Sequence, residues 1–261
     1  MKLPLYWIDA FTDKVFRGNP AAVVPLESWL PGHVMQHIAF ENGLAESAFF
    51  VRTGPDRFHL RWFTPTVEMD LCGHATLASA FALFTQLSQP GDCVTFDSRS
   101  GPLVVLRQGG DLLELDFPSR PARPTGASDE LVRALGAAPE QVAFARDTLC
   151  VFAREEDVRA LRPDFTAIAR LDTFAVIATA PGQDCDFVSR FFAPRAGVNE
   201  DPVTGSAHCT LVPYWAGRLG KTRLHARQAS ARGGELFCVM RGDRVGLAGH
   251  AVLYLRGEID I

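Results

Sequence analysis

The fold is decided by residues 63–84, FTPTVEMDLCGHATLASAFALF, together with residues 192–209, FAPRAGVNEDPVTGSAHC. In the first stretch a Phe-Thr-Pro segment leads to the turn Gly73-His74-Ala75, and in the second a Phe-Ala-Pro segment leads to Gly205-Ser206-Ala207. The two glycines are 132 residues apart, which is about half of the 261-residue chain. Matching turns at this separation indicate that the sequence contains one structural unit twice.

A second pair of segments supports the duplication. Residues 101–115 and 234–247 share glycine, arginine, aspartate and leucine positions at separations of 132 to 134 residues. The three prolines and two arginines between residues 118 and 126 suit a connector between the copies. We therefore predict an N-terminal lobe of residues 1–118, to which the C-terminal strand near 251–261 returns, and a C-terminal lobe of residues 119–261.

Local patterns place several elements in these lobes. Apolar side chains recur at helical spacing from Leu77 to Phe84, which predicts a buried helix over about 74–86. Residues 21–24 and 46–51 have the composition of short strands. Pro213 falls inside the helix opened by Gly205, and proline costs roughly 3 kcal/mol in a helix interior. We therefore expect that second helix to be short or kinked.

Composition excludes several classes of protein. The formal net charge is −4 and the isoelectric point is near 6.0, which argues against nucleic acid or an anionic membrane as a partner. Neither an apolar leader nor a run of about 18 apolar residues occurs, so we predict a cytoplasmic protein. The six cysteines form no C-x-x-C pair, which favours reduced thiols in the core.

Candidate chemistry concentrates at the two glycine turns. The first backbone N–H groups of a helix attract anions, so paired helix starts at Gly73 and Gly205 could hold a substrate carboxylate. His74 lies on the first turn, where we expect its imidazole to have a pKa suited to proton transfer near neutrality. Glu46 opens an apolar strand, where desolvation suits a general acid or base. Asp201 lies four residues before Gly205, where it either caps the helix or acts as an acid or base, with Glu200 as the competitor.

The sequence does not predict a metal or an organic cofactor. Cys72 with His74, and His33 with His37, have ligand-like spacing, but neither pair has further ligands close in sequence. Dinucleotide, Walker and nucleophile-elbow motifs are absent from the sequence. Proton transfer by side chains alone is the remaining interpretation.

Several motifs carry a resemblance to a known family, in the same order along residues 3 to about 257. They are Asp9-Ala10-Phe11-Thr12, Phe16-Arg17-Gly18-Asn19-Pro20-Ala21-Ala22-Val23, Leu44-Ala45-Glu46-Ser47-Ala48-Phe49, Phe63-Thr64-Pro65 with Leu71-Cys72-Gly73-His74-Ala75-Thr76, and Glu200-Asp201-Pro202-Val203-Thr204-Gly205-Ser206-Ala207. Together they resemble the phenazine-biosynthesis PhzF-like isomerase family.

The resemblance implies an α/β (α+β) fold of the diaminopimelate-epimerase type. Each of its two pseudo-symmetric lobes has a mostly antiparallel sheet wrapped around a central helix, and the active site lies in the cleft between the lobes. It also implies a homodimer without a metal or cofactor, acting on a small carboxylate-bearing substrate. The namesake enzyme moves a proton along a conjugated dihydro-hydroxyanthranilate, with a glutamate as the proton shuttle.

The resemblance assigns roles to individual residues of this chain. Glu46 corresponds to the proton shuttle, and His74 and Asp201 correspond to residues around the substrate's carboxylate and amino groups, so these three are the implied catalytic residues. The implied substrate-binding residues are Asn19, Gly73, Ala75, Thr76, Gly205 and Ser206.

Two other functions remain open. Related epimerases use one cysteine on each helix-start loop; here Cys72 occupies the first position, but residues 202–204, Pro-Val-Thr, offer no second thiol. We therefore interpret Cys72 as a packing residue, and keep an amino-acid racemase or epimerase using Glu46 or Cys72 as the first alternative. The second is a small-molecule binding protein without turnover. A desolvated carboxylate beside an imidazole argues against that second alternative.

Overall fold

The computed structural model describes residues 1–109 and 111–261. Helices are interspersed among runs of strands along the chain, as expected of an α/β (α+β) protein. The chain forms two compact units, one of residues 1–116 with 248–261 and the other of residues 117–247. In the described ranges, none of the helices has the length and apolar character needed to cross a membrane.

Over the described residues 1–109 and 111–118, two α-helices lie among eight strands. These elements are β1 (Lys2–Ala10), β2 (Asn19–Leu26), α1 (Gly32–Asn42), β3 (Glu46–Arg52), β4 (Arg57–Phe63), β5 (Glu68–Met69), α2 (Gly73–Thr85), β6 (Cys93–Ser98), β7 (Gly101–Arg107) and β8 (Leu113–Pro118).

The rest of the chain contains four helices among ten strands. Its elements are β9 (Arg123–Thr125), α3 (Asp129–Leu135), β10 (Gln141–Phe144), β11 (Thr148–Val151), α4 (Glu155–Ala160), α5 (Phe165–Ile168), β12 (Val176–Pro181), β13 (Phe187–Ala193), β14 (Val198–Asp201), α6 (Gly205–Leu219), β15 (Arg223–Gln228), β16 (Gly234–Arg241), β17 (Arg244–Gly249) and β18 (Ala251–Asp260).

The first unit is built on the strand order β18-β1-β2-β3-β4-β6-β7. Only the β2–β3 and β4–β6 pairs are parallel, and β5 adds to β4 in antiparallel orientation. The C-terminal strand pairs with β1 from Lys2 opposite Asp260 to Ala10 opposite Ala251. Helix α2 packs against β1, β2 and β3, and eleven of its thirteen residues are buried.

The second unit repeats this pairing pattern. Its order is β9-β10-β11-β12-β13-β15-β16, the parallel pairs are β11–β12 and β13–β15, and β14 adds to β13 in antiparallel orientation. Parallel and antiparallel pairs therefore follow in the same sequence in both units. The first strand in the order of the second unit is β9, and the equivalent strand of the first unit is β18. The first copy of the repeat is therefore completed by the last strand of the chain.

Helix α6 differs from its prediction. It continues for fifteen residues through Pro213, so the expectation of a short helix is wrong. Proline cannot donate a hydrogen bond to the carbonyl four residues earlier, which here belongs to Cys209. The backbone N–H of Arg120 donates to that carbonyl at 2.8 Å instead. Because the acceptor is satisfied from outside the helix, the proline is tolerated in its interior.

The connector prediction is also wrong in part. Residues Arg123–Thr125 form the short strand β9, which pairs with β10 despite the proline in its middle. All three of its residues are exposed, and proline is tolerated in strands at a sheet edge. By contrast, the start of α3 follows the sequence pattern: Ser128 accepts a hydrogen bond from the Leu131 N–H, and Gly136 ends the helix in the left-handed region.

Candidate active site

A carboxylate and an imidazole meet at the start of helix α2. Glu46 is the first residue of β3, and His74 is the second residue of α2. Glu46 Oε2 lies 3.2 Å from His74 Nε2, and the two side chains are 14% and 5% exposed. A desolvated carboxylate in contact with a ring nitrogen is an arrangement suited to moving a proton.

Burial decides the charge of His74. The imidazole is 4% exposed, and desolvation by burial lowers its pKa to about 3. The expectation that His74 titrates near neutrality is therefore wrong, because the surroundings of the ring disfavour the imidazolium ion. At neutral pH the ring is an uncharged hydrogen-bonding group that contacts Glu46.

Asn19 determines which ring nitrogen carries the proton. Its side chain is fully buried at the first position of β2, and Nδ2 lies 3.1 Å from His74 Nδ1. An amide nitrogen only donates, so Nδ1 accepts and the proton of the neutral ring is on Nε2. Nε2 is the ring nitrogen that lies 3.2 Å from Glu46 Oε2. The amide thus places the ring proton on the nitrogen nearer to Glu46.

Gly18 allows Asn19 to take this position. The glycine has φ of +63°, and a Cβ atom built on it would lie 2.2 Å from the backbone oxygen of Ala10. Only glycine fits this approach, in which the chain turns back toward β1 before entering β2. Asn19 pairs with Ala10 at the end of β1 immediately after the turn.

Cys72 lies on the other edge of the same imidazole. Its Sγ is 3.5 Å from His74 Nδ1, and the residue is 6% exposed. Cys72, His74 and Glu46 each offer an atom within 4.8 Å of the others. The packing interpretation of Cys72 therefore omits a direct contact with the imidazole that the sequence did not reveal.

The remaining predicted residues of this turn contribute mainly backbone. Gly73, Ala75 and Thr76 are buried, and Thr76 Oγ1 donates to the Cys72 carbonyl at 2.5 Å. Their N–H groups belong to the first turn of α2, where a helix supplies no acceptor of its own.

In the second unit, Asp201 and Thr204 form a turn before α6. Asp201 ends β14, and its Oδ2 accepts a hydrogen bond from Thr204 Oγ1 at 2.5 Å. Gln228, buried at the end of β15, donates from Nε2 to the Asp201 carbonyl at 2.7 Å. Its Oε1 accepts from the Thr204 N–H at 2.8 Å. Gly205 is buried and Ser206 half-buried at the helix start that follows.

Glu200 is committed elsewhere. Its two carboxylate oxygens accept from Arg190 Nε and Nη2 at 2.7 and 2.9 Å. Arg190 Nη1 also donates to the carbonyls of Val158 and Leu161. A bidentate pair with a buried arginine leaves Glu200 a structural partner, so Asp201 is the better candidate of the two neighbouring acids.

Both helix starts have the same kind of side-chain contact, made to the carbonyl of the residue before the helix, at positions separated by the predicted repeat length. Thr76 Oγ1 bonds to the carbonyl of Cys72, and His208 Nδ1 lies 2.8 Å from the carbonyl of Thr204. Both side chains occupy the fourth position of their helices, and 132 residues separate them. The duplication is therefore preserved in local geometry although the residue types differ.

Sequence reasoning missed Gln228 and the contact of Cys72 with His74. Gln228 lies 24 residues after Thr204 on a different strand, with no motif around it. The alternation of polar and apolar residue types over residues 223–227, which puts Gln228 on the same face as Leu224 and Ala226, was the available signal for its burial. The Cys72 contact depends on the rotamer of His74, which sequence spacing does not give.

Comparison with known protein families shows which family the chain belongs to. The sequence model of the family described as phenazine biosynthesis-like protein matches residues 8–257. A Pseudomonas aeruginosa protein named an uncharacterized isomerase is 54% identical over 260 residues, covering 99% of each chain. The crystal structure of a PhzF-family phenazine biosynthesis protein from Enterococcus faecalis has a TM-score of 0.97 at 47% identity and covers 100% of both chains.

A more distant structure extends the similarity of fold. A hydroxyproline epimerase from Agrobacterium vitis, with trans-4-hydroxy-L-proline bound, has a TM-score of 0.64 at 10% identity, covering 99% of this chain and 92% of that one. At this identity the match shows the fold alone. With the Enterococcus faecalis structure, it confirms the predicted epimerase-type fold class.

Proposed function

Because the chain belongs to the phenazine biosynthesis-like family and is an isomerase, we propose that it moves a proton on a small carboxylate-bearing substrate, with Glu46 as the acid and base. The observation that carries the proposal is the 3.2 Å contact between Glu46 Oε2 and His74 Nε2. Because Nδ1 of the ring faces the Asn19 amide, the ring proton is on Nε2, the nitrogen in contact with the carboxylate. The carboxylate is thereby held for proton transfer.

The proposed step uses one carboxyl group twice. Ionised Glu46 takes a proton from a carbon of the substrate, and the electron pair of that C–H bond enters the conjugated system. The protonated Glu46 then returns the proton to a second carbon, which completes the isomerisation without a metal or organic cofactor. His74 remains neutral throughout and orients Glu46, in keeping with its lowered pKa.

The start of α2 supplies a partner for the substrate carboxylate. Backbone N–H groups at a helix N-terminus favour a negative charge, and the turn at Gly73 lies one residue from His74. Resemblance to the family assigns Asp201, Gly205 and Ser206 to the same reaction. The hydrogen bonds from Thr204 and Gln228 support this by fixing the turn that carries Asp201.

Solvent exchange tests the role of Glu46. The protein is incubated in D₂O with cyclic and conjugated amino and hydroxy carboxylates selected by thermal shift, and deuterium incorporation is followed by NMR. We expect Glu46→Gln to lose incorporation, whereas Glu41→Gln, an exposed change in the same unit, retains it. Equal incorporation by wild type and Glu46→Gln would refute the assignment.

An amino-acid epimerase is the second candidate, favoured by one observation. Cys72 Sγ is 3.5 Å from Nδ1, on the ring edge away from the Glu46 contact. A thiol and a carboxylate on either side of the imidazole could serve as two bases. Inversion of a chiral amino acid that Cys72→Ala abolishes would select this reaction. A binder without turnover would give ligand-dependent thermal shifts but no exchange in any variant.

Location and assembly are part of the same proposal. We propose a cytoplasmic location, supported by the six free cysteines, of which four are buried. The resemblance to the family is the basis for proposing a homodimer. Light scattering coupled to size exclusion tests the dimer, since a mass near 28.5 kDa would indicate a monomer. Fractionation of the producing cells tests the location.

A further inference from the structure

The proposed catalytic carboxylate and two neighbouring side chains together have the chemistry of a zinc site. Glu46, Cys72 and His74 offer an oxygen, a sulfur and a nitrogen, and one such atom from each lies within 4.8 Å of the other two. Zinc sites that keep an open coordination position are commonly built from three protein ligands of these types. Sequence spacing joined only Cys72 and His74, and the third ligand is supplied by the start of β3.

Each ring nitrogen of His74 has one neighbour at the separation of two ligands that share an ion: Cys72 Sγ beside Nδ1 and Glu46 Oε2 beside Nε2. Zn–S and Zn–N bonds of about 2.3 and 2.0 Å at the tetrahedral angle place the two ligand atoms about 3.5 Å apart. Cys72 Sγ and His74 Nδ1 are 3.5 Å apart. An oxygen and a nitrogen on the same ion lie about 3.3 Å apart by the same geometry, and Glu46 Oε2 and His74 Nε2 are 3.2 Å apart.

We infer that Glu46, Cys72 and His74 bind Zn²⁺, or another borderline-soft divalent cation, and that the bound ion inhibits the enzyme. The ion bonds to His74 Nδ1, the ring nitrogen without a proton, and displaces the hydrogen bond from Asn19 Nδ2. Cys72 Sγ is already at the required separation from this nitrogen, and rotation of the Glu46 side chain supplies the third ligand. The thiol proton of Cys72 passes to solvent as the S–Zn bond forms.

Access and selectivity follow from the same surroundings. The Glu46 side chain is 14% exposed, so a small ion can reach the group from solvent. A thiolate ligand disfavours Mg²⁺ and Ca²⁺, which prefer oxygen. Inhibition rests on the proposed function, because an ion on Glu46 occupies the lone pair that would take the substrate proton. Binding itself does not depend on that function.

Cobalt spectroscopy tests binding without any substrate. Co²⁺ replaces Zn²⁺ in such sites, and a thiolate ligand gives an intense near-ultraviolet charge-transfer band. The surface pair His33 and His37, with ring centroids 6.1 Å apart, could bind the same ion, so the experiment uses the double variant His33→Ala/His37→Ala as background. Co²⁺ is titrated into this background and into the same chain carrying Cys72→Ser or Cys93→Ser. Cys93 is a half-buried thiol of the same unit.

We expect a band that saturates at one Co²⁺ per chain, persists in Cys93→Ser, disappears in Cys72→Ser and is displaced by Zn²⁺. Glu46→Gln should weaken Co²⁺ binding by at least about tenfold while the band remains detectable. No band in the background protein, or an unchanged band in Cys72→Ser, would overturn the site. If the band behaves as expected and Zn²⁺ leaves solvent exchange unchanged, binding stands and inhibition is refuted. Absent exchange in metal-free wild type would instead count against the proposed function.

Discussion

Asn19 Nδ2 lies 3.1 Å from His74 Nδ1, so a fully buried amide sets the tautomer of the imidazole that contacts Glu46. Replacing this donor with an acceptor should reverse the tautomer. In Asn19→Asp the carboxylate accepts from Nδ1, and Nε2 then faces Glu46 with a lone pair. We expect kcat to fall about 10- to 100-fold, as for other changes to the partner of a functional histidine.

Nitrogen NMR of the His74 ring measures the tautomer directly. Asn42→Asp is the matched control: Asn42 donates to Ser47 Oγ, and Ser47 points to the opposite face of β3 from Glu46. The control should keep the proton on Nε2 and retain activity. An unchanged tautomer in Asn19→Asp would show that the amide does not direct the ring.

Gln228 should act on turnover through the turn that carries Asp201. Gln228→Leu removes its hydrogen bonds to the Asp201 carbonyl and the Thr204 N–H. We expect a stability loss of about 1–3 kcal/mol for the buried groups left unpaired, and in addition a fall in kcat/KM. Urea unfolding and solvent-exchange rates measure the two effects separately.

Gln89→Leu separates positioning from stability. Gln89 is also a buried glutamine, bonded to Arg52 and to the Pro55 carbonyl in the first unit. It should lose similar stability but retain kcat/KM at temperatures where both variants are folded. If the two variants lose activity equally, Gln228 is a structural residue only.

From periodicity and turn chemistry, the secondary-structure elements of this chain could be predicted well, but the contacts between side chains distant in sequence could not. The helix predicted over about 74–86 is observed as Gly73–Thr85. It could be predicted because apolar residues at helical spacing mark the face of a helix that is buried. The length of α6 could not be foreseen, since it depends on a hydrogen bond from Arg120, distant in sequence, to Cys209. The charge state of His74 likewise depends on burial by the complete fold, which no local motif contains.

Glu200 and Asp201 should separate cleanly by mutation although they are adjacent. Glu200→Gln weakens a bidentate ion pair with Arg190 whose side chains are 21% and 10% exposed. We expect a stability loss of about 1–3 kcal/mol, below the range for a fully buried pair because solvent screens this one. Exchange activity should be retained.

Asp201→Asn tests the complementary expectation. It keeps an acceptor for Thr204 Oγ1 but removes the charge beside α6, so activity should fall by at least about tenfold with little change in stability. Loss of activity in Glu200→Gln with retention in Asp201→Asn would reverse the assignment. Exchange rates and urea midpoints on the same samples decide between them.

Two buried histidines should make the fold sensitive to acid. Burial lowers the pKa of His74 to about 3 and that of His208 to about 4, from 6.5 in the unfolded chain. At pH values between the folded and the unfolded pKa of each histidine, the unfolded chain binds protons that the folded chain does not. Stability therefore rises with pH through this range and is lost as pH falls below about 6.5, by up to about 1.4 kcal/mol per pH unit for each ring.

His208→Gln should remove one of these contributions. Gln can still donate to the Thr204 carbonyl that His208 Nδ1 contacts, but it does not titrate. Urea unfolding at pH 7, 6, 5 and 4.5 should give a slope of stability against pH that is smaller than wild type by about 1 kcal/mol per unit at the acid end. Exposed His33→Gln serves as the control and should leave the slope unchanged. Since carboxylates contribute equally to all three proteins, identical slopes in wild type and His208→Gln would mean that the buried imidazole takes up its proton in the folded state.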